Sequence, residues 1–318
     1  MKILILGAGA MGSLFAGKLK RSGIDVTLFN HRLNDHVRAM QENGLTIMEK
    51  DESPVEVTLP VVTDADKLED SYDLVICLVK SFATEAVLTQ IAPVLSPTTM
   101  LLTLQNGIGN AEVLETFVPK SQIAVGGTVS GAGIIEPGRV VRRGWGKTSI
   151  GSVLGQGGQT ESMLRDIASL FTASGLQTEV VPDVMSVIWS KLLVNIAYNG
   201  LTAVTRLTNG DMIRTDEGKE LARNLIEEAI RIAEALGIRL LYEHPVEEVI
   251  RLGYEAIGPN KSSMLTDVLL QRKTEMDAIN GAVVRLGKQL SIATPCNEMM
   301  MQLVKMIENH YDRMVTRI

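Results

Sequence analysis

Residues 2–29 read KILILGAGAMGSLFAGKLKRSGIDVTLF. Lys2 to Leu6 is a short aliphatic run that stops at Gly7-Ala8-Gly9-Ala10-Met11-Gly12. Helical spacing follows, with Leu14, Phe15 and Leu19 apolar against Lys18, Lys20 and Arg21, until Ser22-Gly23; Asp25 to Phe29 then reads as a second strand. A G-x-G-x-x-G pattern is weak alone and strong when a strand precedes it and a helix and second strand follow. Gly7 permits the tight turn, Gly9 lets backbone approach a pyrophosphate, and Gly12 lets helix pack on strand. With Ala8, Ala10 and Met11 between them, they open a helix whose N-terminal N–H groups and dipole favour phosphate. The segment predicts the first βαβ unit of a dinucleotide-binding fold, which explains its apolar start better than a signal peptide does.

Cofactor preference is legible one step downstream. A fold that takes NAD usually presents Asp or Glu at the end of the second strand to bond the ribose 2′-hydroxyl. Here Asn30-His31-Arg32 stands in that place. Arg32 suits a 2′-phosphate in forked geometry, with Asn30 or His31 assisting, so NADP(H) is the expected cofactor. Two further continuous apolar runs read as buried parallel strands, Leu74–Val79 ending at Lys80-Ser81 and Met100–Leu104 ending at Gln105-Asn106-Gly107. Ligands of open α/β sheets lie beyond the carboxyl ends of strands, so Lys80 and Asn106 point to cofactor or substrate. From Gly126 to Gly151 glycine-rich β segments suggest an antiparallel extension of the same sheet.

Length and composition set the frame. At 318 residues the chain exceeds one core's usual reach and predicts two domains, with 45% hydrophobic residues to fill them. We place the boundary at Pro182-Asp183: an N-terminal dinucleotide-binding domain of Rossmann type over residues 1–182, then an all-α domain over 183–318. Net charge is −6 with no basic stripe, which argues against nucleic acid as a partner. Cys77 and Cys296 are far apart, and neither they nor the four histidines fall in a disulfide, redox or metal spacing. A reduced cytoplasmic protein without a structural metal is expected.

The second half carries the polar site. From Val184 to Thr205 the chain reads VMSVIWSKLLVNIAYNGLTAVT, with Lys191 as its single charge and Asn195 and Asn199 following at intervals of four. On a helix these three share one face, amid Val187, Ile188, Trp189, Leu192, Leu193, Val194 and Ile196. The lysine could simply snorkel to water along its stem. Three hydrogen-bonding groups converging among apolar neighbours instead resemble a small-molecule site, and they argue against a membrane span. Leu221 to Leu236 recurs at helical spacing up to Gly237. Residues Ser262 to Leu290 read as one further helix, capped by Ser262 or Ser263; the pair Asn280-Gly281 inside it weakens helix propensity and suggests a close approach between helices or to a ligand. Thr294-Pro295 opens the last helix, whose methionines Met299 to Met301 and Met306 read as core filler, or, where exposed, as a surface that could form a homodimer. Taken alone, Gln271 to Asp277 is a solvated charged face.

These residues resemble the ketopantoate reductase family, the NADP-dependent 2-dehydropantoate 2-reductases, nearly end to end. The resemblance rests on Gly7-x-Gly-x-x-Gly12, Val79-Lys80-Ser81, Gln105-Asn106-Gly107, Lys191-Leu-Leu-Val-Asn195, Asn209-Gly210, Asn260-x-Ser-Ser263-Met and Thr274-Glu275-Met-Asp-Ala-Ile-Asn280-Gly281. It implies that the substrate, a small 2-oxo acid, lies in a cleft between the domains, that Lys191 is the general acid and that Glu275 binds the substrate hydroxyl. It further implies that Asn106, Asn195, Asn199, Asn209, Asn260 and Ser263 line the substrate or nicotinamide pocket, with Asn106 and Glu275 reaching the cofactor too. Lys80 and Arg32 match cofactor-contacting positions. The chain departs from many relatives at Gly200, where they carry proline, and at Arg142-Arg143-Gly144-Trp145, where they often carry a histidine. Competing readings are a paralogue acting on another 2-oxo acid and a non-catalytic NADP(H) sensor. A 6-phosphogluconate or hydroxyacid dehydrogenase is disfavoured by the Asn-x-Ser-Ser and Glu-x-x-x-x-Asn-Gly elements.

Overall fold

A computed structural model describes residues 1–155 and 158–313. The chain divides into two units: Met1–Gln105 with Asn110–Val184, and Asn106–Gly109 with Met185–Ile318. The division falls after Val184. It also assigns Asn106–Gly109, which the sequence places at a strand end of the first domain, to the helical unit.

The first unit is built on an eight-stranded sheet in the order Thr178–Val180, Thr148–Ser152, Ile123–Thr128, Met100–Thr103, Leu74–Cys77, Lys2–Leu6, Asp25–Phe29, Val61–Val62. All joints are parallel except that between Thr148–Ser152 and Ile123–Thr128. Strands Leu74–Cys77, Met100–Thr103 and Ile123–Thr128 are buried throughout, as aliphatic strands covered on both faces must be. The chain leaves Lys2–Leu6 toward Asp25–Phe29 on one side and returns to Leu74–Cys77 on the other. The order therefore reverses at Lys2–Leu6, the place where a doubly wound sheet receives its ligand. Leu6 is in register with both Phe29 and Cys77, and Cys77 with Thr103, so the segments that follow these strands emerge along one edge.

The glycine-rich region is only partly an extension of this sheet. Thr148–Ser152 does join it, but Ala132–Glu136 and Arg139–Arg142 form a second, four-stranded sheet with Leu45–Met48 and Val55–Val57. That sheet packs on the helix Ala10–Arg21. Here the departure at Arg142 finds a structural use. Arg142 and Lys18 both pair with the buried carboxylate of Glu49, at 3.1 and 2.7 Å, and the Arg142 guanidinium lies over the Trp145 ring. A buried pair of this kind holds geometry more than it adds stability.

The second unit contains only helices among the described residues: Val184–Thr205, which begins in the first unit, Asn209–Ile213, Asp216–Ala235, Pro245–Glu255, Ser263–Leu269, Asn280–Leu290 and Pro295–Glu308. Helix Val184–Thr205 is long and apolar enough to cross a membrane, but 67% of that stretch is buried in the protein. Trp189, Leu193, Ile196 and Tyr198 sit in the core beside Ala222, Leu225, Ile226 and Ala229. Leu221 and Leu236, at the two ends of the run with helical spacing, are exposed. Gly200 answers a packing need, since a Cβ there would come within 2.5 Å of the Met300 Cγ.

The single helix expected over Ser262–Leu290 is two helices. Ser262 caps the first, accepting from the Leu265 N–H, and the chain then turns at Gln271, whose φ is +52°. Gln271, Arg272, Lys273, Glu275 and Met276 are good helix formers and no Gly or Pro stands in the run, so local propensity gives little sign of the break; tertiary partners override it. The Thr274 N–H donates to Glu308 and the Tyr311 hydroxyl to the Arg272 carbonyl, while Thr274, Glu275 and Met276 are buried. Asn280-Gly281 opens the next helix, and a Cβ on Gly281 would come within 3.1 Å of the Met276 carbonyl oxygen and 3.3 Å of the Met301 sulfur.

Candidate active site

The glycine turn has the shape its residues predict. Gly7 holds φ +105°, and a Cβ on it would lie 2.8 Å from the Val79 nitrogen; one on Gly12 would lie 1.8 Å from the Gly7 carbonyl oxygen. At Gly9 a Cβ would meet no protein atom within 4 Å, so that side of the turn is open. Helix Ala10–Arg21 starts there with no side-chain cap and no acidic residue in its first turn, which leaves its positive end for a ligand. This cradle suits a dinucleotide diphosphate.

Asn30 also braces the turn itself. Its Oδ1 accepts the Ala8 N–H at 3.0 Å and its Nδ2 donates to the Arg32 carbonyl at 2.6 Å. It holds the turn and the Arg32 loop, with one bond at each end of its amide. The Arg32 side chain is exposed and Lys80 half-buried at the end of its strand. Two supports escaped the sequence reading. Gln105 donates to the Val79 carbonyl and the Thr84 hydroxyl, fixing the chain before Lys80. His36 accepts the Gly138 N–H at Nδ1, so its Nε2 carries the proton and meets the Ser13 hydroxyl at 3.0 Å. Burial lowers the His36 pKa and keeps the ring neutral for that task. His36 looked like one of four scattered histidines because its partners are remote in sequence.

The helical unit gathers the other predicted residues. Lys191 is half-buried, and burial pushes its ammonium down to about 8 while the Glu275 carboxylate pulls the other way. That coupling brings together two residues far apart in the chain. The Nδ2 groups of Asn195 and Asn199, on the lysine's face, are buried without a hydrogen-bond partner. Unused donors are uncommon in protein interiors and favour a site that a ligand completes. Asn209 is buried; its Nδ2 donates to the Ile257 carbonyl and its N–H to the Asn260 carbonyl, and only its Oδ1 lacks a partner. It braces the loop before Ser262 more than it offers a donor. Asn260 and Ser263 are exposed, and the Ser262 hydroxyl lies 2.7 Å from that of Thr202 on the lysine helix. Asn106 is half-buried in the segment that belongs to this unit: the Ile108 N–H donates to the Ala278 carbonyl, and a Cβ on Gly107 would clash with that oxygen. The segments bearing Asn106 and Glu275 are thus joined directly. Among the described residues no three His, Cys, Asp or Glu side chains assemble as a metal site.

Solved structures with this architecture are nicotinamide-dependent dehydrogenases and reductases. A D-mandelate dehydrogenase with NADH and anilino(oxo)acetate is 32% identical and matches over 98% of this chain and 100% of its own, with a TM-score of 0.90. A PanE/ApbA family ketopantoate reductase from Ralstonia eutropha JMP134 is 30% identical over 98% and 100% of the two chains, with a TM-score of 0.88. The family model Ketopantoate reductase PanE/ApbA matches residues 3–155 and its C-terminal counterpart residues 183–308. A 2-dehydropantoate 2-reductase of Halobacterium salinarum is 33% identical over 97% of this chain and 99% of the relative. The chain belongs to the ketopantoate reductase family, and it is an oxidoreductase.

Proposed function

We propose that the protein reduces 2-dehydropantoate to pantoate with NADPH, a step of pantothenate and coenzyme A biosynthesis, and does so in the cytoplasm. The observation that carries this reading is Lys191: an ammonium lowered to about 8, opposed by Glu275, with two unpartnered amide donors along its helix face. The bound cofactor supplies the hydride. Gly7, Gly9, Gly12 and the start of helix Ala10–Arg21 hold its diphosphate, and Arg32 its 2′-phosphate. As charge develops on the substrate's carbonyl oxygen, Lys191 stabilises it and gives up its Nζ proton; a value near 8 lets that proton leave at physiological pH. Asn195 and Asn199 donate to the substrate through Nδ2. Ser263 and Asn260 suit the substrate carboxylate, and Glu275 accepts from its terminal hydroxyl. A site built around that hydroxyl rejects a keto acid lacking it by up to ~10⁴–10⁵, because the carboxylate would lose its partner.

The likeness to D-mandelate dehydrogenase favours a second reading, an aromatic 2-oxo acid reduced with NADH. Loss of reduced-nicotinamide absorbance with 2-dehydropantoate, 2-oxoisovalerate and the keto acid of mandelate, each with NADPH and with NADH, tests both. Turnover confined to NADPH and 2-dehydropantoate is the expected result, and a preference for the aromatic acid would replace the first reading with the second. A Glu275→Ala protein that kept full discrimination against 2-oxoisovalerate would remove Glu275 from hydroxyl recognition.

A further inference from the structure

Asn280 is fully buried where helix Asn280–Leu290 begins, five residues after Glu275. Its Nδ2 donates to Asn297 Oδ1 at 2.9 Å, and Asn297 Nδ2 donates to Glu228 Oε2 at 2.8 Å and to the Leu225 carbonyl at 3.0 Å. Glu228 is only 3% exposed. Its two oxygens also accept the Cys296 and Asn297 N–H groups at 2.9 Å each, so a side chain from helix Asp216–Ala235 caps helix Pro295–Glu308. Thr294, at the expected cap position, makes no side-chain cap bond. An ionised carboxylate can only accept. Glu228 therefore requires Asn297 to present its NH₂, which turns Asn297 Oδ1 toward Asn280 and requires Asn280 to present its own NH₂. The polarity of the whole chain is set at its acidic end, and Asn280 Oδ1 is left without a partner. An orphaned buried carbonyl carries its full desolvation penalty, which a purely structural cluster would be expected to avoid.

The geometry points to Glu228, Asn297 and Asn280 as positioning residues for the reduction. They fix the end of loop 271–279 and through it the placement of Glu275, an assignment that rests on Glu275 binding the substrate. Glu308 and Tyr311 grip the start of the same loop, at Thr274 and Arg272, and Ile108 grips Ala278. The amide chain adds a polar tie between the loop's exit and helix Asp216–Ala235, on which helix Asn280–Leu290 also packs through apolar contacts.

The test uses the full-length enzyme at pH 7 with Glu228→Gln, Asn280→Leu and the double variant. Glu228→Gln keeps the size but sets an NH₂ against N–H donors; Asn280→Leu keeps the volume and cuts the far end of the chain. The expected result is a roughly 10–100-fold rise in KM for 2-dehydropantoate in each, since small misplacements at a site have effects of this size, with kcat little changed. NADPH affinity should stay as in the parent, and the double variant should be no worse than the poorer single one, as for residues acting in series. Amide hydrogen exchange of residues 271–279, measured without substrate, should accelerate in both single variants. Additive KM effects, an equal loss of NADPH affinity, or unchanged loop exchange in folded protein would overturn the assignment. If the parent enzyme does not reduce 2-dehydropantoate, the proposed substrate fails, while loop exchange still decides whether the chain holds the loop.

Discussion

At the strand ends of the sheet unit, Asn30 and Gln105 use their amides to hold backbone: Ala8 and Arg32 for the one, Val79 for the other. On the lysine helix, the Asn195 and Asn199 NH₂ groups have no partner. The same residue type thus does opposite work in the two units. The cradle presents backbone, so its polar side chains are scaffolding and its decisive residues are those with no side chain at all. The helical unit presents side chains instead: it carries unsatisfied donors and a charge that burial disfavours. Stability and function coincide in the first unit and oppose each other in the second.

The largest expected effect lies on the helical side. Lys191→Ala should lower the single-turnover rate by roughly 10²–10⁴. Because the fold disfavours the charged form of this lysine, Lys191→Met should melt at the same or a higher temperature at pH 7; a clear drop would make Lys191 a structural residue. Gly12→Ala should behave in the opposite way. Its Cβ would sit 1.8 Å from the Gly7 oxygen, so stability should fall by about 1–3 kcal/mol or more together with dinucleotide binding. Retained NADPH binding in a calorimetric titration would mean that the turn can relax. Arg32→Ala should weaken NADPH by roughly 10–100-fold and leave NADH alone, the worth of charged hydrogen bonds to a phosphate.

The smallest effect concerns pH. Lys191 can act as an acid only while protonated, so kcat in the reducing direction should fall as pH rises through about 8. Glu275 raises that value against burial, so Glu275→Gln should move the basic limb to lower pH. A limb that stayed in place would show that the carboxylate does not act on the ammonium in the working enzyme.

Much of this was legible in the chain because it depends on neighbours. Strand, glycine turn, helix and strand follow one another within residues 2–29, and the face shared by Lys191, Asn195 and Asn199 follows from helical spacing alone. Glu275 was not legible from its surroundings: Gln271 to Asp277 reads as a solvated helix face, and only the family resemblance marked the glutamate. The sheet built from residues 45–57 and 132–142 escaped for a related reason, since its Leu45–Met48 and Arg139–Arg142 strands pair across a long sequence separation.

The sequence by itself determined the dinucleotide cradle, the helical second half and the polar face of the lysine helix, because turn chemistry and periodicity act between residues a few positions apart. Tertiary structure alone decided that the helix after Ser262 breaks, that Glu275 is drawn inside beside Lys191, that Asn30 braces the cradle, and that Glu228 orders a chain of amides ending at Asn280. Those outcomes depend on burial and on partners tens to a hundred residues away, which local propensity does not encode.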